Sequence, residues 1–307
     1  MSRFPDGSRV CFVGDSITAQ NRYVAYVVDY YKTHFPDADV KFYNCGISGG
    51  TAGLLLSVFD EDVAPLKPTH VFVMLGVNDS GRDQLSLPRS EERWQSLKLS
   101  YEIFKENLQK LCNKITDIGV ELILLTPPPY DEYQECEGMV LKGGYVLVSG
   151  FANYMKQLAT EKGYLIFDCH DYMTKMMQEN VLYGDDRVHP NDLGQYHIAK
   201  FILSTQGFDS GEFSPIPEYL EPWREKVWSY RYLYAVEHML IPKELCTLEE
   251  KLHYINGYLE REEWNVQGRR ESLNNFFKKI AENYLLYKER RVELFEEIET
   301  FYEAFRF

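Results

Sequence analysis

A serine that attacks an ester needs a base to take its proton, a group to orient that base, and donors for the oxyanion. The chain offers a candidate for each, in separate stretches. Ser16 stands in Val10-Cys11-Phe12-Val13-Gly14-Asp15-Ser16-Ile17-Thr18, where a short apolar run ends at a glycine and a helix is expected to begin. A hydroxyl at such a strand-to-helix turn is exposed, and its backbone N–H and the helix dipole favour developing negative charge. His189 is the natural base. Asp186 lies three residues earlier in Asp186-Arg187-Val188-His189-Pro190, so one tight turn can hold its carboxylate against the imidazole. Asn78, in Gly76-Val77-Asn78-Asp79, supplies a neutral amide donor that cannot ionise. Gly46, in Asn44-Cys45-Gly46, lets a backbone N–H approach closely because no side chain is in the way. Asp-Ser before an apolar run is also ordinary helix capping. The other three stretches tip the reading toward chemistry.

These residues need elements that bring them together. Residues 9–13 read as a buried strand, and 17–34 as a helix ended by Pro36. Residues 39–44 form a second strand, followed by a glycine-rich turn (Gly46, Gly49, Gly50, Gly53) and a short apolar helix around 54–59. A third strand, 70–75, closes at Gly76. Ser90 caps a long helix that ends before Gly119, and strand 120–125 is stopped by Pro127-Pro128-Pro129. An acidic loop, 131–144, leads to a helix ending near Gly163; strand 164–167 and a helix capped by Asn191 or Asp192 follow. Continuous apolar strands alternating with helices imply a parallel sheet covered on both faces. Ser16, Gly46 and Asn78 follow the first, second and third strands. They therefore converge on the carboxyl rim, where ligands of such sheets bind.

At these residues the sequence resembles the SGNH hydrolases, or GDSL esterases. Gly14-Asp15-Ser16, Gly46, Gly76-Val77-Asn78-Asp79 and Asp186-Arg187-Val188-His189 match that family's four blocks in order, over roughly residues 8–206. The resemblance implies a flavodoxin-like three-layer α/β/α sandwich with a five-stranded parallel sheet. It implies Ser16 as nucleophile, His189 as base, Asp186 as orienting acid, and an oxyanion hole of Ser16, Gly46 and Asn78. It also implies hydrolysis of short-chain, acetyl, oxygen esters, with acetylated carbohydrates the favoured substrate class and no metal or organic cofactor. A thioesterase or lysophospholipase would use the same triad. A binding or scaffold module with an incidental site is the alternative from another class.

Other features point away from competing chemistries. The glycines at 46, 49, 50 and 53 lack the Gly-Lys-Ser/Thr or Gly-x-Gly-x-x-Gly of nucleotide sites. Asp168, His170 and Asp171 beside Cys169 read as a strand-end turn with a helix cap rather than a metal site. His197 reads as a packing or surface residue, and Cys45 has no base at a diagnostic spacing. Asp15 and Asp79 read as capping or supporting groups. A net charge of −14 argues against nucleic acid and anionic membranes as partners. No apolar run approaches the ~20 residues of a membrane span. Six scattered cysteines and a start without an apolar leader suit a reducing cytoplasm, with secretion only if a signal peptide has been removed.

Residues 1–207 thus read as the hydrolase domain and 208–307 as an all-helical extension serving packing or dimerisation. Pro215, Pro217 and Pro222 mark the change, and helices are expected at 223–240, 243–263 and 271–306. The last carries a heptad seam (Leu273, Phe277, Ile280, Tyr284, Tyr287, Leu294, Ile298, Phe301, Phe305) broken by Arg291. It suits packing on its own domain, or a homodimer contact.

Overall fold

A computed structural model describes residues 1–240, 247, 249–251, 253, 254 and 290–301. Its centre is a five-stranded, all-parallel sheet of β1 (Ser8–Gly14), β2 (Val40–Gly46), β3 (His70–Met74), β4 (Glu121–Leu125) and β5 (Leu165–Phe167), in the order β2-β1-β3-β4-β5. Successive strand side chains point to opposite faces, and here both faces are buried. Val10 and Phe12 join Phe42, Phe72, Ile123 and Phe167 in one core cluster, and Cys11 and Val13 join Tyr43, Cys45, Val71, Val73 and Leu124 in the other. This is why the strands read as unbroken apolar runs.

Helices complete the three layers. α2 (Arg22–His34), α6 (Cys169–Met176) and α7 (Asp192–Ser204) bury residues such as Val24, Val27, Met173, Ile198 and Ile202 in the first cluster. α3 (Ala52–Asp62), α4 (Glu91–Asp117) and α5 (Gly144–Lys162) bury Leu55, Phe59, Leu108, Ile115, Phe151 and Leu158 in the second. Ser90 caps α4 by accepting from the Arg93 N–H, and Gly119 takes the left-handed conformation just beyond it.

The helix expected over 17–34 is two helices. A four-residue α1 (Ser16–Ala19) breaks from α2 at Asn21, which has φ 57°. Asparagine tolerates that conformation, and Asn44 Nδ2 holds the break by donating to Asn21 Oδ1 at 3.0 Å and to Thr18 O at 2.6 Å.

The described residues of α8 (Glu221–Leu240) and of 290–301 are packed into the same cores. In α8, Trp223 and Val227 belong to the first cluster, and Tyr234 and Ala235 to the second. One helix feeding both faces must cross the edge of the sheet, here β2, and it covers the edge that β2 would otherwise expose. Between those two groups Arg231, 1% exposed, forms a bidentate pair with Asp62 (2.7 Å to each carboxylate oxygen), and its Nε donates to Gly46 O at 2.7 Å. Helical residues 290–301 return to this surface: Ile298 is buried in the first cluster, Phe301 stacks on Trp223, and Arg291 pairs with Glu237. The described part of the heptad seam therefore packs on its own chain. Most of the expected helices 243–263 and 271–306, and with them most of the candidate dimer contact, lie outside the described residues.

Candidate active site

β1 is followed in the sheet by β2 on one side and β3 on the other, so the strand order reverses beside it. The crevice beyond the carboxyl ends of β1 and β3 is where such sheets bind ligands. Ser16 follows β1 directly. Asp15 precedes it as the N-cap of α1, its carboxylate accepting the Ile17 N–H at 2.9 Å. Gly14 must be glycine, because a Cβ there would lie 2.1 Å from Thr18 Oγ1 and 3.0 Å from Met74 O.

The turn before α7 brings the other two groups to this serine. Tyr183 and Pro190 pair as an antiparallel bridge, Gly184 N donates to His189 O, and Arg187 N donates to Gly184 O with Arg187 at φ 63°. Asp186 Oδ1 accepts the Val188 and His189 N–H groups, each at 2.9 Å, and Oδ2 lies 2.5 Å from His189 Nδ1. Burial alone would raise the Asp186 carboxyl. The His189 ring and the two backbone N–H groups outweigh it and hold the group at about 2. An ionised Asp186 accepts only, so the ring proton sits on Nδ1 and leaves Nε2 as an acceptor. His189 Nε2 lies 2.7 Å from Ser16 Oγ. The arrangement can move a proton from the hydroxyl to the imidazole while the carboxylate stabilises the cation formed.

Gly46 ends β2 beside Gly14, at the rim where the sequence reading puts it. Its N–H, expected as an oxyanion donor, is already given to Asn44 Oδ1 at 2.9 Å. A glycine is needed there for packing, since a Cβ would meet Ala19 N at 2.4 Å and Thr18 C at 2.8 Å. The next turn offers a different donor. Gly50 N closes on Ile47 O at 2.8 Å, and Gly49 has φ 76°, the positive value that the third position of a type II turn requires. Among the described residues, the Gly49 N–H, in the central peptide of that turn, has no hydrogen-bond partner. Asn78 stands beside it, its Nδ2 donating to Gly50 O at 3.0 Å. That leaves the second amide hydrogen free. Sequence reasoning registered Gly49 only as one of four turn glycines; its positive φ is what distinguishes it.

Two carboxyls support the rim. Burial raises Asp15 to about 6, against the Ile17 N–H, and raises Asp79 to about 7, against the Ala52 N–H that it accepts at 2.9 Å. Asp79 Oδ2 is buried with no partner among the described residues, which suits a carboxyl that keeps its proton.

Arg187 carries no role in the Asp186–His189 motif as read from sequence. It is a buried cation, 2% exposed, whose guanidinium donates to the carbonyls of Gln134 (2.6 Å), Asp131, Gly138 and Cys136. Asp131 N donates back to Arg187 O at 2.9 Å. The acidic loop is thereby wrapped on the side chain adjoining Asp186. Gly138 packs so closely that a Cβ would fall 1.6 Å from Asp185 O.

The residues considered for a metal have other work. Asp168 caps α6 by accepting the Asp171 N–H and pairs with Lys156 at 2.9 Å, while His170 bonds Ser149 Oγ and Pro127 O. His197 meets the Tyr172 hydroxyl at 3.1 Å within the packing of α6 on α7.

The family and the relatives that this chain resembles make it a carboxylic ester hydrolase. The chain belongs to the GDSL-like lipase/acylhydrolase family, whose model matches residues 12–196. It is 30% identical over 222 residues to an acetylxylan esterase of Geobacillus stearothermophilus, covering 66% of this chain and 95% of that protein. A solved structure of that organism's acetylxylan esterase Axe2, a catalytic mutant in which a serine is replaced by alanine, superposes with a TM-score of 0.58 at 25% identity, over 69% of this chain and all of the other. BT4096, a gut microbial diltiazem-metabolizing enzyme, gives 0.62 at 27% identity over 68% of this chain. The match spans only 48% of BT4096. No helix among the described residues is long and apolar enough to cross a membrane.

Proposed function

We propose that the protein is a serine esterase that removes acetyl groups from acetylated carbohydrates. The observation that carries the reading is the hydrogen-bonded relay from Ser16 Oγ to His189 Nε2 (2.7 Å) and from His189 Nδ1 to Asp186 (2.5 Å) at the switch point of the sheet. Ser16 attacks the ester carbonyl as His189 takes its proton, and Asp186 stabilises the imidazolium. The oxyanion rests on the N–H groups of Ser16 and Gly49 and on the free hydrogen of the Asn78 amide. His189 then gives its proton to the leaving alcohol. Water, activated by the same ring, releases acetate and restores the serine.

The substrate class follows from the similarity to an acetylxylan esterase and from the charge, which disfavours anionic esters. The test is hydrolysis of acetylated xylo-oligosaccharides beside p-nitrophenyl acetate and octanoate. Turnover of the acetyl esters, sugar acetates included, with little of octanoate is expected. A preference for octanoate, or no release of acetate from any sugar ester, would overturn the assignment.

A further inference from the structure

The loop wrapped on Arg187 has a second face, which opens on a cavity of about 530 Å³ between residues 131–135, the start of α5, the end of α6 and residues 178–181. That volume lies within the range of small-molecule sites, roughly 300–1,000 Å³. Its lining combines the rings of Tyr133 and Tyr145 and neutral polar side chains such as Gln134 and Thr174 with two carboxylates, Asp131 and Glu135. No lysine or arginine lines it. Of its acids, Asp131 spends one carboxylate oxygen on the Tyr133 and Gln134 N–H groups.

Two details are unexplained by folding alone. The Tyr133 side chain is 72% exposed, although Asp131 fixes its backbone and its ring sits 5.8 Å from that of Tyr145. Gln134 Oε1 is buried with no partner among the described residues. A buried acceptor left unmet is costly unless something else satisfies it. Aromatic faces beside uncharged amides and hydroxyls match a pyranose, whose C–H faces stack on rings and whose hydroxyls both donate and accept. An anion would find no cation in the lining to pair with.

One wall of the cavity is joined to the turn that carries Asp186 and His189. Asp131 in its wall is hydrogen-bonded to the backbone of Arg187, two residues from His189, a backbone span of at most ~7 Å. We infer that this cavity is a subsite for a neutral sugar unit of the oligosaccharide whose acetyl group is presented to Ser16. The inference rests on the carbohydrate reading above. It adds where the rest of the chain binds.

The experiment uses the full-length protein and unacetylated xylotetraose and cellotetraose, with binding followed by calorimetry in wild type, Tyr133→Ala and Gln134→Ala. Tyr133 is exposed, so its truncation leaves the core intact. Wild type should bind at least one of the two sugars, and Tyr133→Ala should weaken that binding about tenfold, the loss of one stacked ring. The same variant should raise KM for acetylated xylotetraose about tenfold at nearly constant kcat, a larger effect than on p-nitrophenyl acetate. Absence of binding by wild type, or binding by Tyr133→Ala and Gln134→Ala as tight as by wild type, would overturn the subsite. Failure of the carbohydrate reading is distinguishable: wild type would then hydrolyse p-nitrophenyl acetate but no acetylated sugar.

Discussion

Removing the Arg231 guanidinium should cost more than any other single change outside the active site. Arg231 and Asp62 are both essentially inaccessible, with side chains 1% and 3% exposed. Arg231→Ala would leave the Asp62 carboxylate buried without its partner and Gly46 O without the Nε donor. Breaking a buried pair from one side costs about 3–5 kcal/mol, a large part of a typical total of roughly 5–15 kcal/mol. At about 2–4 °C per kcal/mol for chains of this order, the midpoint of thermal unfolding should fall by roughly 6–20 °C. Urea titration followed by circular dichroism gives the free energy directly. The control is the double variant Arg231→Met with Asp62→Leu, which removes both charges and should recover most of the loss. Because Gly46 immediately precedes the Ile47–Gly50 turn that carries Gly49, residual esterase activity should also decline in the folded single variant. A loss below about 1 kcal/mol, the scale of an exposed pair, would refute the burial argument. So would a double variant no better than the single one. By the same reasoning, truncation after Gly207 should give insoluble protein, since Leu220, Trp223 and Tyr234 are core residues.

Other perturbations test the site. Asp186→Asn, which removes the ionised acceptor that fixes the His189 tautomer, should lower kcat by about 10³–10⁴ with little change in KM, read with p-nitrophenyl acetate. Gly138→Ala lies in a loop yet must displace Asp185; it should reduce kcat by at least about tenfold, because misplacement of about 1 Å can cost 10²-fold. Asp79, held at about 7 by burial, binds a proton in the folded state that the unfolded chain has lost, so stability should fall as pH rises from about 4 to 7. Asp79→Asn keeps an acceptor for the Ala52 N–H and should flatten that part of the stability-versus-pH curve, measured by urea titration at each pH; an unchanged slope would contradict the buried-carboxyl assignment.

The α/β order was legible because each strand is apolar on both faces and each helix carries its own stop. Ser90 and Gly119 bound α4, and Gly163 ends α5. Ser16, Asn78, Asp186 and His189 stood out as candidates because their residue types and spacing are chemically restrictive, and the structure brings Ser16, His189 and Asp186 into one hydrogen-bonded chain. Gly46 and Gly49 could not be told apart, since a glycine required for close packing and one required for a positive φ look alike in sequence. Arg187 was hidden for a similar reason: its role depends on four carbonyls some 50 residues away, which no local pattern records. The break at Asn21 escaped because its support, Asn44, is supplied by another strand. The anchoring of α8 through Arg231 and Asp62 joins residues 169 apart in sequence, so the sequence alone left packing and dimerisation both open for the extension.

Acetyl-ester hydrolysis by wild type and Ser16→Ala should be compared first, with intact-mass analysis of samples quenched during turnover of p-nitrophenyl acetate. Wild type should gain the mass of one acetyl group that the variant does not, and the variant should lose about 10⁴-fold or more in kcat while unfolding at an unchanged temperature. A folded Ser16→Ala protein that turns over the ester at the wild-type rate, with no acetylated intermediate in either sample, would contradict the serine mechanism.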